Sequence, residues 1–142
     1  MISAIRTSLS GLQAASKSVS AHADNIANVR TTARVDQVSL SPAARAAASG
    51  GADEVFRPHR ATNISVRGGG VETEVEAVDP SHEVVYSPDD PNADAEGRVA
   101  APNVNLDEEI VGMRQDRHAY MANLAVMRTA DEMAGALFDD EA

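Results

Sequence analysis

Oxygen-bearing side chains recur at alternate positions in Asp90-Pro-Asn92-Ala-Asp94-Ala-Glu96-Gly97. A calcium loop uses such spacing for its first ligands, but it also needs a glycine where Ala95 stands and a bidentate glutamate where Ala101 stands. The segment therefore reads as an acidic surface loop shaped by Asx turns. His22, His59, His82 and His118 are scattered without metal-ligand spacing, and Arg117 stands beside His118. All four read as solvated surface residues. Gly68-Gly69-Gly70 is followed by neither a helix nor a Lys-Ser/Thr pair, so it is expected to be a hairpin turn rather than a phosphate cradle. There is no GxSxG and no HExxH, and the absence of cysteine removes thiolate metal sites, disulfides and thiol nucleophiles together. The sequence indicates no catalysis, metal or cofactor.

The more informative polar residues sit beside apolar periodicities. Ile2, Ile5, Leu9, Leu12, Ser16, Val19, Ala23 and Ile26 are spaced alternately by three and four, an a/d heptad pattern over four repeats. This predicts a helix over 1–28 with a narrow apolar seam, stopping near Asn28 where β-branched residues begin. Gly11 costs such a helix roughly 1 kcal/mol against alanine. A second helix is predicted over 105–138. Asn105 is its N-cap, Glu108 completes a capping-box arrangement, and Asp107, Glu108 and Glu109 complement the dipole. Its seam is Leu106, Ile110, Met113, Arg117, Tyr120, Leu124 and Met127, and its acidic end is expected to fray. Asn25 and Asn28 border Ile26, and Asn123 lies between Tyr120 and Leu124. Two readings of these amides stand: capping at Asn28 with surface exposure of the others, or bonds that fix the register between packed helices, as a buried polar group does in coiled coils.

The middle of the chain holds all six prolines and most of the glycines. Ser41-Pro42 followed by an alanine-rich run predicts a short capped helix. Thr62–Arg67 and Val71–Val78, alternating around the glycine triplet, predict a β-hairpin. Glu83–Tyr86 is a possible further strand, and residues 87–104 read as extended loop. The expected fold is thus mainly α: long N- and C-terminal helices pairing as a coiled-coil-like bundle, with a small β-hairpin in a loop-rich middle. The segments are 1–30, 31–104 and 105–142, the outer two forming one discontinuous domain.

Composition bounds the function. The chain has 142 residues, 3% aromatics and a net charge of −10. Leu, Ile, Val and Phe make up just under a fifth of it, which leaves little to offset ordering entropy. The missing burial is expected to come from partners. A pI near 4.7 argues against nucleic acid. No apolar run reaches the length of a membrane span, and the N-terminus lacks the continuous apolar stretch of a Sec signal. Residues 1–35 carry four cations against one acid, the reverse of the rest.

The segment Ser10-Gly11-Leu12 with Ala14, followed by Asn25-Ile26-Ala27-Asn28, resembles the S-G-L-x-A opening and N-[IL]-A-N motif of the bacterial flagellar axial proteins. Ala119–Met133 looks like that family's C-terminal Y-x-A-N-x-x-V helix. Val84–Asn105 is similar to the segment leading into the last helix of the proximal-rod class called FlgC, and the chain length suits that class. Residues 33–60 match no part of the family and read as an insertion.

The resemblance implies a structural subunit of the flagellar basal-body rod, located in the periplasm and exported through the flagellum's own type III apparatus without a Sec signal. It would polymerise with itself and other rod proteins and transmit motor torque. Ile2, Ile5, Leu9, Leu12, Val19, Asn25, Ile26, Asn28, Leu106, Ile110, Met113, Tyr120, Asn123, Leu124 and Met127 are then the expected packing and assembly residues. A cytoplasmic helical export chaperone or regulatory binding module is the competing class, with the seam serving a client helix.

Overall fold

The computed structural model describes residues 2–39 and 56–139, so the alanine-rich segment after Ser41-Pro42 and the last three residues lie outside the described part. Helix α1 spans Ile2–Asn28, α2 spans Val35–Ser39 and α3 spans Leu106–Asp139. Between them stand β1 (His59–Ser65), β2 (Val71–Ala77), β3 (His82–Tyr86) and β4 (Arg98–Pro102). These form two separate two-stranded antiparallel sheets, β1 with β2 and β3 with β4. Among the described residues no helix is long and apolar enough to cross a membrane.

Both long helices end where the sequence provides a stop. Asn28 closes α1: its carbonyl accepts the Thr31 N–H at 2.9 Å and the Thr31 hydroxyl at 2.7 Å, and its amide returns to the Asp24 carbonyl. Asn105 caps α3, its Oδ1 accepting the N–H groups of Asp107 and Glu108 at 3.1 and 3.4 Å. The three acids that follow lie in the favourable field of the helix start.

The two helices lie antiparallel in one register. Gly11 faces Asn123, Gly112 faces the His22 ring, and Asn25 bonds to Glu109. Their approach is close because the facing residues are small. A methyl added at Gly11 would sit 2.6 Å from the Asn123 amide, and one at Gly112 would sit 2.5 Å from the imidazole. The buried residues of α1 are Ser8, Ala14, Ala15, Ser18, Ala21 and Asn25. The apolar heptad is therefore not the buried seam of this molecule. The packed positions Ser8, Gly11, Ala15, Ser18, His22 and Asn25 repeat with the same spacing, one residue earlier. Side-chain size decides the matter: bulky residues at the contact would push the helices apart, and the small-residue face admits the closer packing.

A second side of α1 carries the β1–β2 hairpin, registered Ser65↔Val71 through His59↔Ala77. The Lys17 ammonium donates to the Thr73 carbonyl at 2.7 Å, and the Ser10 hydroxyl accepts the Val71 N–H at 3.2 Å. The glycine triplet makes the hairpin turn as expected, with φ near +100° at each. At Gly70 a side chain would also collide with Ser10, 2.5 Å away.

Strand β3 does not extend the hairpin. It pairs with β4 (Tyr86↔Arg98 to His82↔Pro102), and Ala33 bridges the far edge of β4 through reciprocal 2.9 Å bonds with Ala100. Residues 98–102, expected as loop, are thus a strand. Alanine and proline have weak strand propensity, and tertiary pairing overrides it. The acidic loop between these strands spends its carboxylates on the chain itself. Asp90 accepts the Asn92 N–H and the Thr32 hydroxyl, and Asp94 accepts the N–H groups of Glu96 and Arg98. The Arg98 backbone bond, then its guanidinium, hold the Asp94 carboxyl below its usual value despite some opposing desolvation. The buried hydrophobic residues are mostly alanines, with Val99 the largest fully buried side chain among those described.

Gly112→Ala is expected to lower the thermal midpoint by several degrees, because overpacking of about 1–3 kcal/mol exceeds the roughly 1 kcal/mol of helix propensity it gains. Gly11→Ala meets only the swinging end of Asn123 and should leave the midpoint level or raised; calorimetry of both variants checks the contrast.

Candidate assembly surface

At one end of the helix pair a polar cluster locks the register. Asn25 is 0% exposed. Its Nδ2 donates to the His59 carbonyl at 2.7 Å and to Glu109 Oε1 at 2.9 Å, while its Oδ1 accepts the His59 N–H at 2.9 Å. One amide thus fastens α1 to both α3 and the start of β1. His22 meets Glu109 through Nδ1 and stands 3.4 Å from Asp116 through Nε2. Burial raises the Asp116 carboxyl above its ordinary value, and the attraction of His22 works the other way. His22 was expected on the solvated surface; it is instead half-buried between two carboxylates, because Gly112 leaves room for its ring. His59 and His82 are also half-buried, and His118 is exposed.

The remaining amides behave differently. Asn28 bonds within its own helix rather than across to α3, correcting the expectation of an interhelical bond there. Asn123 reaches α1 by packing on Gly11, while its amide donates to the Ala119 carbonyl of its own helix at 2.9 Å.

The apolar heptads lie beside the contact. Ile2 is 76% exposed, Leu9 45% and Tyr120 40%; Leu106 and Ile110 are exposed as well. Ile5, Leu12, Val19, Ile26, Met113, Leu124 and Met127 are half-buried. Each stripe is displaced one residue, about 100° of helical turn, from its packed seam. In an antiparallel pair, equal displacements turn both stripes toward the same side. Leu9, Leu12 and Ser16 accordingly line one open groove with Tyr120, walled by Gln13, Lys17 and Ser20. Helix α1 is thus covered by α3 and by the hairpin, and among the described residues its third side is open. That side offers the apolar area the monomer leaves unburied, on the order of 2 kcal/mol for each large side chain covered.

Sequence reasoning missed the residues that hold the monomer: Ser8, Gly11, Ala15, Ser18, His22, Glu109, Gly112 and Asp116. Their signal was present as a second heptad of small and polar residues running beside the apolar one.

Asn25→Ala orphans both polar groups of His59 and should cost about 3 kcal/mol, against at most about 1 kcal/mol for Asn28→Ala, measured by urea unfolding. Asp116 has its folded value raised, so its contribution is favourable below the unfolded value of 3.8 and is lost as pH rises through the folded one. Asp116→Asn is therefore expected to gain stability over the parent progressively from acid toward neutral pH, read as the difference in thermal midpoint across a pH series.

Residues 95–139, covering β4 and all of α3, match the model of the flagellar basal body rod FlgEFG protein C-terminal family. Along 130 residues, 92% of this chain and 87% of the relative, the chain is 32% identical to the flagellar basal-body rod protein FlgC of Agrobacterium fabrum. It is 34% identical to the FlgC proteins of Escherichia coli O6:H1 and Salmonella typhimurium over 79 residues, 56% of this chain and 58% of each relative. Two heptad helices at opposite ends of the sequence, joined by short sheets, with similarity to the Agrobacterium fabrum protein over nearly the whole length, identify the chain as a member of the FlgC family of flagellar basal-body rod proteins, a structural family of the bacterial flagellum.

Proposed function

We propose that this chain polymerises into the flagellar rod through the open side of its helix pair. The observation that carries the reading is the pair of apolar stripes, Ile5-Leu9-Leu12-Val19 and Met113-Tyr120-Leu124-Met127, which turn to one side and remain incompletely covered within the subunit. Helices of neighbouring copies and of other rod proteins would complete a coiled-coil-like bundle there, supplying the burial that this alanine-rich core lacks. Such contacts repeat head to tail without closing, which suits a shaft. Many small interlocked contacts would carry motor torque from subunit to subunit. The cysteine-free chain suits passage as an unfolded thread through the type III export apparatus into the periplasm.

Leu9→Asp tests the reading with little effect on the subunit itself, since Leu9 is already exposed. The variant should retain the helicity of the parent by circular dichroism, be absent from purified basal bodies on immunoblots, and leave cells non-motile. Leu12→Asp should do the same with some loss of stability. Normal swimming of Leu9→Asp cells, or recovery of the parent protein from cytosol as a one-to-one complex instead of from basal bodies, would overturn the proposal.

A further inference from the structure

The groove and the far end of α3 carry opposite charge. The groove's floor is Leu9, Leu12 and Tyr120, and its open volume is about 530 Å³. Lys17 stands on its wall, Arg6 lies seven residues before Gln13 on the same face of α1, and Arg117 lies one turn before Tyr120 on α3. Between residues 110 and 130, α3 carries Arg114, Arg117 and Arg128 against one acid, Asp116. That acid is turned inward to His22. Arg114 and Arg128 each follow a stripe residue by one position and turn away from α1, and the Lys17 ammonium is bonded to the hairpin at Thr73, so the cations that border the groove on the open side are Arg6 and Arg117.

From Asp131 onward the sequence reverses, with five carboxylates and no lysine or arginine. Asp131, Glu132 and Asp139 sit at the wrong end of their helix: α3 has no basic residue in its last turn, and its macrodipole already concentrates negative charge there. Among the described residues no ion pair involves Asp131 or Glu132. The register set by Gly11 facing Asn123 brings Ile2 level with Glu132, so Met133–Asp139 runs past the start of α1. Met133 is 55% exposed on this overhang. Asp131, Glu132 and Met133 thus form an acidic helix segment with an apolar contact point, with no ion pair among the described residues. It also cannot reach its own groove. Asp131 lies eleven residues from Tyr120 along one continuous helix, roughly 16 Å at 1.5 Å per residue.

We propose that the apolar groove between α1 and α3, bordered by Arg6 and Arg117, receives the acidic segment Asp131–Ala136 of α3 from a second copy of this chain. This rests on the reading of the chain as a polymerising subunit and names the occupant of its open side. The contact is heterologous, groove to helix end, so each copy keeps a free groove and a free end for the next. Docking relieves the helix-terminal repulsion and covers Met133, Leu9 and Tyr120 in the same step.

The absence of native cysteine makes a crosslinking test direct. Gln13→Cys marks the groove wall and Ala136→Cys marks the exposed end of α3. Mixed under mild oxidation at low salt, the two single variants should give a disulfide-linked heterodimer, far exceeding the homodimer that either forms alone. Arg117→Glu in the groove partner should reduce its yield about three- to fivefold, as expected for an exposed charge contact, and Asp131→Arg with Glu132→Arg in the other partner should restore it. All these positions are exposed, and circular dichroism verifies that each variant stays folded. Equal crosslinking of each variant with itself would identify a symmetric contact and overturn the proposal. So would no mixed crosslink, or a yield insensitive to Arg117→Glu. Recovery of the parent protein in basal bodies is scored separately: presence there with no mixed crosslink rejects the groove occupant alone, whereas absence there rejects the rod reading.

Discussion

Everything in this molecule depends on how near α1 and α3 come to each other. Glycine, alanine and serine at the contact allow an approach at which even one added methyl at Gly112 would collide with a ring. Close approach is what makes a core of alanines sufficient for an antiparallel pair, since many short contacts between small groups replace a few large ones. It also decides where the large apolar residues go. They cannot enter so narrow a gap, so they stand along its margin.

Two overlapping heptads explain how much the sequence revealed. The alternating three–four spacing identified both helices and nearly their ends, because any seam of that period requires a helix. It did not identify which of two adjacent stripes is buried, because Leu9 and Leu12 weigh heavily on any hydrophobicity scale and Ser8 and Gly11 hardly register. A one-residue offset is invisible to period and visible only to packing. The sequence left Asn25 between surface exposure and a register-fixing amide; it bonds to both α3 and β1, whereas Asn28 and Asn123 turn to their own helices. His22 was misjudged for the same reason as the seam: its neighbours Glu109 and Asp116 are far away in sequence, and only the antiparallel register brings them together.

The middle of the chain was legible where glycine chemistry is local and less so where pairing is remote. The β1–β2 hairpin announces itself through alternation and a triplet of glycines. Strand β4 has neither, and its strand character comes from β3 on one side and Ala33 on the other. The segment 33–60, which matched no family motif, is tied down at both borders, by Ala33 on β4 and by His59 on Asn25. Whatever that stretch contributes is therefore delivered from fixed anchor points.

The bond from Asn25 to Glu109, backed by His22 between Glu109 and Asp116, has a mechanical corollary. A heptad helix can in principle slide one turn along its partner and find similar small residues waiting. Such a slip would carry Asn25 about 5.4 Å away from Glu109 and His22 away from both carboxylates, while the hairpin, tied to α1 through Asn25, Lys17 and Ser10, would travel with its helix. The polar cluster, not the hairpin, thereby acts as a gauge of helix alignment.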